Sequence, residues 1–223
     1  NWRPLTAALG IVPADAFFPP DISLVVEGSS DRIYVTTYMR LLADVIKADL
    51  NYLSIIDADR RQEIAAVVKM ILGTERKVVV LADGDKGGAD FEKYLKKHVG
   101  SAQSSSLSFI DLRSLLKVDK EVSIEDVLPK EAWFRALQLY VDNILKVKHK
   151  VDTVKIEKSA KDMSLGKAAA QYFANAGVLL KESDFSKTSV AHIFSTQELA
   201  PPESETSVYK VCVKITNELG IAR

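Results

Sequence analysis

Four short apolar runs, separated by segments of helical length, constrain the fold of this chain more than any other feature. They are "ISLVV" (22–26), "YLSII" (52–56), "KVVVLA" (77–82) and "LSFID" (107–111). Short continuous runs rich in β-branched residues are typical of buried strands. Helices are predicted between them, over Asp31–Lys47, Asp59–Leu72 and Asp90–His98. Strands that alternate with helices predict an α/β fold with a mainly parallel sheet flanked by helices.

Acidic residues follow two of these runs directly. Glu27 and Gly28 come after the first run, and "DGD" (83–85) comes after the third. Because parallel sheets carry their sites at the carboxyl ends of the strands, we expect these carboxylates to lie at one edge. Carboxylates crowded together repel unless a cation neutralises them or one stays protonated. Each motif alone is typical of a turn or a helix cap, but together they favour a site for Mg²⁺, which prefers oxygen ligands.

Asp31 adds a third acidic position to this edge. It lies four residues after Glu27, in the first turn of the first predicted helix. Gly28 would let the backbone bend sharply there or let a phosphate approach closely. The free N–H groups of a helix N-terminus are themselves a natural phosphate contact.

Composition limits the classes of partner and site. The 223 residues are 47% apolar, which is enough for a substantial core, and 30 basic residues balance 30 acidic ones. Any affinity for DNA must therefore come from local patches. One candidate is the lysine-rich segment Lys146–Lys161, which is either a solvated connection or a contact for the DNA backbone. Cys212 is the sole cysteine, which excludes an internal disulfide and a cysteine zinc site.

The rest of the chain is predicted to be largely helical. Residues 113–178 form an added helical region. A helical stretch is predicted over Ser123–Leu145, with Pro129 near a helix start, and a further helix over Leu165–Gly177. Residues 179–223 are expected to pack back on the core, with a short strand at "AHIF" (191–194) and a terminal helix or strand-plus-helix. Residues 1–20 form a proline-interrupted lead-in, and the start at Asn1 leads us to expect a fragment. With no long apolar run and no signal-peptide pattern, we expect a cytoplasmic protein without membrane contact.

Two motifs resemble a known family. "LVVEGSSD" followed by "VVVLADGDKGG" is similar to the Toprim domain of type IA and II topoisomerases, bacterial primases, small repair proteins and the OLD (overcoming lysogenization defect) nucleases. The resemblance covers about residues 21–112 and implies a Rossmann-like sheet. Asp31 and the lead-in "ADAFFPPDISLVVEG" resemble the OLD branch, in which an ATPase domain precedes Toprim. "SIEDVLP" and "SLGKAAA" resemble later motifs of that branch.

The resemblance implies a metal-dependent DNA endonuclease or nickase that hydrolyses phosphodiesters with one or two Mg²⁺ or Mn²⁺ ions. It implies metal-site roles for Glu27, Asp31, Asp83, Asp85, Ser123 and Glu125, with Asp126 as the alternative to Glu125. It also implies catalytic roles for Glu27, Asp83 and Lys167. The implied partners are DNA and an N-terminal ATPase domain of the full-length chain. The resemblance is also compatible with a homodimer that forms through the full-length protein. The P-loop motif "GxxxxGK[ST]" that binds nucleotides does not occur in this sequence. The biological role that the resemblance implies is DNA repair or phage defence.

Two other functions of Toprim domains stay open. A topoisomerase needs a tyrosine nucleophile, and no tyrosine here has recognisable surroundings. A primase usually needs a zinc-binding domain, which one cysteine cannot provide. A DNA-binding Toprim module without catalysis is the alternative outside enzymes.

Overall fold

The structure, a computed structural model, describes residues 22–57, 61–73, 76–99 and 106–222, so the predicted lead-in lies outside the described residues. The described residues form a four-stranded sheet with the order β2-β1-β3-β4, in which every pair is parallel. The strands are β1 (Ile22–Val26), β2 (Leu53–Asp57), β3 (Lys77–Ala82) and β4 (Leu107–Asp111). Helices flank this sheet, which confirms the predicted α/β class with a parallel sheet.

Helices cover both faces of the sheet because strand side chains alternate in direction. Leu24 and Val79 belong to the core on one face, which α1 (Ser29–Leu42) and α10 (Ser207–Leu219) cover. Val25 and Val80 belong to a second core beneath α2 (Arg61–Leu72) and α3 (Lys86–His98). A sheet buried on both faces explains why its strands are continuous apolar runs.

Shorter helices complete the described chain. They are α4 (Leu112–Leu116), α5 (Ile124–Val127), α6 (Lys130–Tyr140), α7 (Thr153–Ser159), α8 (Leu165–Asn175) and α9 (Lys187–Ser195). A π-helical turn (Val141–Leu145) follows α6, and 3₁₀ turns span Leu50–Tyr52 and Glu182–Asp184. None of the helices in the described ranges is long and apolar enough to cross a membrane.

Helix α9 packs on both α1 and α6. The ring of Phe194 meets that of Tyr34 edge to face, with centroids 5.3 Å apart. The indole N–H of Trp133 donates a hydrogen bond of 3.1 Å to the Tyr34 hydroxyl. These buried aromatic contacts hold α9 against α1. At the N-termini of the two helices, Ser29 Oγ lies 2.9 Å from Thr188 Oγ1.

One prediction of secondary structure is wrong. "AHIF" is not a strand but part of α9, in which Val190, Ala191 and Phe194 bury one helical face. The predicted helical stretch Ser123–Leu145 contains α5 and α6, and α6 begins directly after Pro129, near the predicted helix start.

Candidate active site

The two strand-end motifs meet at one edge of the sheet. Val26 pairs with Leu81 across β1 and β3, so the residues that follow these strands are neighbours. The backbone N–H of Asp83 donates a hydrogen bond of 3.0 Å to Oε1 of Glu27. The parallel strand order therefore brings the first carboxylate of each motif to a common edge, as the sequence predicts.

Asp31 lies at the same edge because α1 begins there. The N–H of Gly28, which caps this helix in an extended conformation, donates a hydrogen bond of 3.0 Å to Oδ2 of Asp31. The negative charges of Glu125 and Glu27 both raise the pKa of the Asp31 carboxyl, so the three acidic groups are close enough to interact.

Gly84 connects the edge to the segment that carries Glu125. Its N–H donates to the carbonyl of Val122 at 2.7 Å, and the Val122 N–H donates back at 3.3 Å. A Cβ on Gly84 would lie 2.4 Å from Cβ of Arg113, so this approach requires a glycine. The pairing leads directly into α5, where Glu125 is only 1% exposed.

Lys187 is a cation of this carboxylate group and is not among the site residues predicted from the sequence. Its Nζ lies 3.1 Å from Oε1 and 3.4 Å from Oε2 of Glu125. Lys187 is the first residue of α9, after the N-cap Ser186. The N-cap serine followed by apolar residues at helical spacing is a signal that could have placed Lys187 at the start of a helix. We call Glu27, Asp31, Asp83, Glu125 and Lys187 the inner cluster.

The pKa values show how crowded the inner cluster is. Burial, and then the negative charge of Glu125, raise the pKa of Asp31 to about 7. Burial, and then the charge of Asp31, raise the pKa of Asp83 well above its usual range. Burial alone would lower the pKa of Lys187, but Glu125 and Asp83 outweigh it and raise that pKa. The inner cluster therefore favours bound cations or protons.

Asp85 and Lys167 form a second, more exposed pair at the rim. Asp85 Oδ1 accepts the N–H of Gly88 at 2.9 Å and caps α3, while its Oδ2 lies 3.4 Å from Lys167 Nζ. Lys167 also lies 2.7 Å from Oε2 of Glu121, a contact that raises its pKa. The Lys167 side chain is 50% exposed. The lysine predicted to be catalytic thus contacts the rim, whereas Lys187 contacts a buried carboxylate of the inner cluster.

Asp126 and Ser123 have a different environment from Glu125. Oδ2 of Asp126 accepts from the N–H and Oγ of Ser123 and from the N–H of Leu165. Its Oδ1 accepts from Lys120 Nζ at 2.8 Å. These contacts occupy both oxygens of Asp126 and direct the hydroxyl of Ser123 toward it. Of the two acidic candidates in this segment, Glu125 is the one that joins the inner cluster.

The donor chemistry of the inner cluster fits a hard divalent ion. Four carboxylates from three segments of the chain supply oxygen atoms, the ligands that Mg²⁺ and Mn²⁺ prefer. Buried Glu125 Oε1 contacts Lys187 but has no well-directed hydrogen bond. As the side chains stand, no three Asp, Glu, His or Cys residues of the described ranges form a ready coordination group. Binding of an ion would therefore require carboxylates to rotate and Lys187 to withdraw from Glu125.

Comparisons of the chain with protein-family models, with curated proteins and with solved structures found no match. What the inner cluster can do therefore follows from its own charges, burial and contacts.

Proposed function

We propose that this chain is a metal-dependent DNA endonuclease or nickase that hydrolyses phosphodiester bonds. The observation that carries the proposal is the meeting of four acidic residues with one lysine at the carboxyl edge of a parallel sheet. Burial, and then the charges of the neighbouring carboxylates, raise the pKa values of Asp31 and Asp83, and a divalent ion would favour their charged forms. The resemblance of the two strand-end motifs to a Toprim nuclease of OLD type supports the same chemistry.

The inner-cluster carboxylates would hold one or two Mg²⁺ or Mn²⁺ ions, together with Asp85 at the rim. Bound divalent ions supply activation of a water and stabilisation of charge on the leaving oxygen. The protein contributes orientation, because Gly28 and Asp83 donate backbone N–H groups that hold Asp31 and Glu27 in place. Burial of Glu125 keeps its charge away from bulk water.

Lys187 is the residue to which we assign charge stabilisation at the scissile phosphate. Its ammonium already lies against Glu125, and a compact cation suits negative charge that develops on phosphate oxygens. Lys167, which the resemblance favours for this role, contacts Asp85 and Glu121 and is half exposed. We therefore assign Lys167 to orientation of Asp85 and to attraction of DNA at the rim.

The wider setting is part of the same proposal. A nuclease of OLD type would act on DNA, with an ATPase domain of its full-length chain as a partner. A homodimer formed through the full-length protein is compatible with this activity. It would work in the cytoplasm, in DNA repair or phage defence.

Nicking of supercoiled plasmid tests the proposal. We expect cleavage with Mg²⁺ or Mn²⁺ and none with a chelator. Glu125→Gln and Asp83→Asn should each slow cleavage by at least ~100-fold, because each removes an anionic oxygen ligand. Glu131→Gln, which changes an exposed glutamate of α6, is the matched control. If Glu125→Gln and Asp83→Asn cut as fast as the parent, the nuclease proposal is wrong.

A DNA-binding module without catalysis is the second candidate, and Lys187 is the observation that favours it. Its ammonium neutralises part of the carboxylate charge without any metal. This alternative predicts that the protein binds DNA but cleaves none with any divalent metal. It also predicts that divalent ions leave the thermal unfolding temperature unchanged.

A further inference from the structure

A groove of about 480 Å³ lies between α1 and α9, beside the inner cluster. Its lining residues are Arg32, Ile33, Thr36, Thr37, Arg40, His192 and Ser195. The set contains two arginines and a histidine, and none of these described lining residues is acidic. We call this surface the arginine groove.

The arginine groove begins at the carboxylate edge of the sheet. Helices α1 and α9 start side by side there, where Ser29 and Thr188 are joined by a hydrogen bond. Arg32 lies in the first turn of α1, and its Nε contacts Oδ1 of Asp57 at 2.9 Å. That contact orients the guanidinium, whose side chain is 49% exposed.

The basic side chains continue along the groove away from the inner cluster. Arg32, Thr36 and Arg40 are four residues apart on α1 and therefore share one face of the helix. Eight residues of helix span ~12 Å, which equals the rise of about three to four base pairs along the axis of a DNA duplex. Arg40 and His192 are both exposed, on opposite walls of the groove.

The lining also indicates which part of a nucleic acid would bind. Thr37 and Ser195 use their hydroxyl protons within their own helices, on the carbonyls of Ile33 and His192. No aromatic ring other than the His192 imidazole is among the lining residues, so the groove offers little surface for base stacking. Exposed guanidinium groups on a regular spacing favour contacts with phosphates, which carry no sequence information.

We infer that the arginine groove binds the phosphodiester backbone of duplex DNA and leads that strand to the inner cluster. The inference rests on the proposed function for the identity of the substrate. It adds the path of the DNA, the residues that contact it, and the expectation that binding is independent of sequence.

Binding of a fluorescent DNA duplex to the full chain, measured by anisotropy in a chelator at several salt concentrations, tests the inference. The chelator prevents cleavage, so affinity is measured apart from hydrolysis. Arg40→Glu should weaken binding by at least tenfold, and Arg40→Ala should reduce the salt slope by about 1. The control is Lys69→Glu, an exposed position on α2 at the opposite face of the sheet, which should change affinity less than about twofold. Thermal melts establish that each variant is folded.

The outcomes separate the groove from the proposed nuclease activity. If the parent nicks plasmid but Arg40→Glu and His192→Glu bind DNA as the parent does, the groove inference is wrong and the nuclease proposal stands. An acidic protein segment would then be the better occupant. If the variants lose DNA binding but the parent cuts no DNA with any metal, the inference that the groove binds DNA is supported and the nuclease proposal is wrong. If the parent binds no duplex even at low salt, the groove inference is overturned.

Discussion

Lys187 and Glu125 form an ion pair in which Nζ and Oε1 are 3.1 Å apart, although the two residues are 62 positions apart in the chain. The Glu125 side chain is 1% exposed and that of Lys187 is 37% exposed, so the cation reaches the buried carboxylate from the solvent side. Asp31 and Asp83 lie in the same field and have raised pKa values. Lys187 is therefore the charge that an entering divalent ion would have to replace.

Replacing Lys187 should impair both stability and cleavage. Lys187→Met leaves Glu125 buried without its partner, which we expect to cost roughly 2–3 kcal/mol, less than for a fully buried pair because Lys187 is partly exposed. We expect cleavage to fall at least ~100-fold through loss of charge stabilisation. Chemical denaturation and plasmid nicking at saturating Mn²⁺ provide the two measurements.

Lys167→Met is the comparison for that variant. It removes a half-exposed contact at the rim, so we expect less than about 1 kcal/mol of destabilisation. Its loss of cleavage should be smaller than that of Lys187→Met. A larger loss in Lys167→Met would return the catalytic role to the lysine that the resemblance favours.

Gly166 should be intolerant of a side chain. An added Cβ would lie 3.0 Å from Cδ of Glu125 and 3.0 Å from both Cε and Nζ of Lys187. Glycine to alanine in a helix normally stabilises by about 1 kcal/mol, so Gly166→Ala should depart from this rule. We expect a cost of about 1–2 kcal/mol and slower cleavage, because the ion pair must shift. A Gly166→Ala variant that is stabilised by about 1 kcal/mol would contradict the packing described here.

The sequence was sufficient to predict the sheet and the position of the first carboxylates. Buried parallel strands are local apolar runs, and Glu27 and Asp83 follow such runs directly. The edge on which they meet then follows from parallel order alone. These predictions needed no knowledge of long-range packing.

Tertiary contacts decided the rest of the site. Glu125 and Asp126 are adjacent on a four-residue helix, and the partners Lys120, Ser123 and Leu165 direct Asp126 away from the inner cluster. Lys187 reaches Glu125 because α9 packs on α1 and α6, which no local pattern specifies. The short apolar and aromatic run "AHIF" has the local pattern of a strand, so that pattern does not reveal the helix that Lys187 begins.

Without divalent metal, the protein should lose stability as pH rises. The folded-state pKa of Asp31, about 7, lies above its usual value of 3.8. The contribution of protonated Asp31 to the free energy of unfolding is therefore complete below pH ~4 and is lost as pH rises through ~7. Asp83, whose pKa is also raised, acts in the same direction. Denaturation in a chelator at several pH values measures this slope.

Asp31→Asn should remove part of the loss of stability that occurs as pH rises. The amide keeps an oxygen that can accept the N–H of Gly28 but carries no charge. We expect the variant to be about 1–3 kcal/mol more stable than the parent near pH 8 and little changed near pH 4. The same substitution should slow cleavage, since an uncharged amide is a poorer ligand for a divalent ion. If Asp31→Asn lowers stability at pH 8, the carboxyl is already neutral or well compensated there.

Divalent ions should stabilise the protein more at high pH than at low pH. Ligand carboxylates must lose their protons before they bind an ion, and the pKa of Asp31 is about 7. At a hundredfold excess over the dissociation constant, an ion that binds only the folded state adds ~2.7 kcal/mol. For a chain of this length, that corresponds to a rise in unfolding temperature of roughly 5–10 °C.

Differential scanning fluorimetry with Mn²⁺ at pH 8 and pH 5.5 should show a larger rise in unfolding temperature at pH 8. Glu125→Gln should lose most of that shift and Glu131→Gln should keep it. Equal shifts in the parent and Glu125→Gln would mean that the ion binds elsewhere, and Lys187 would then be the lasting counterion of the buried carboxylate.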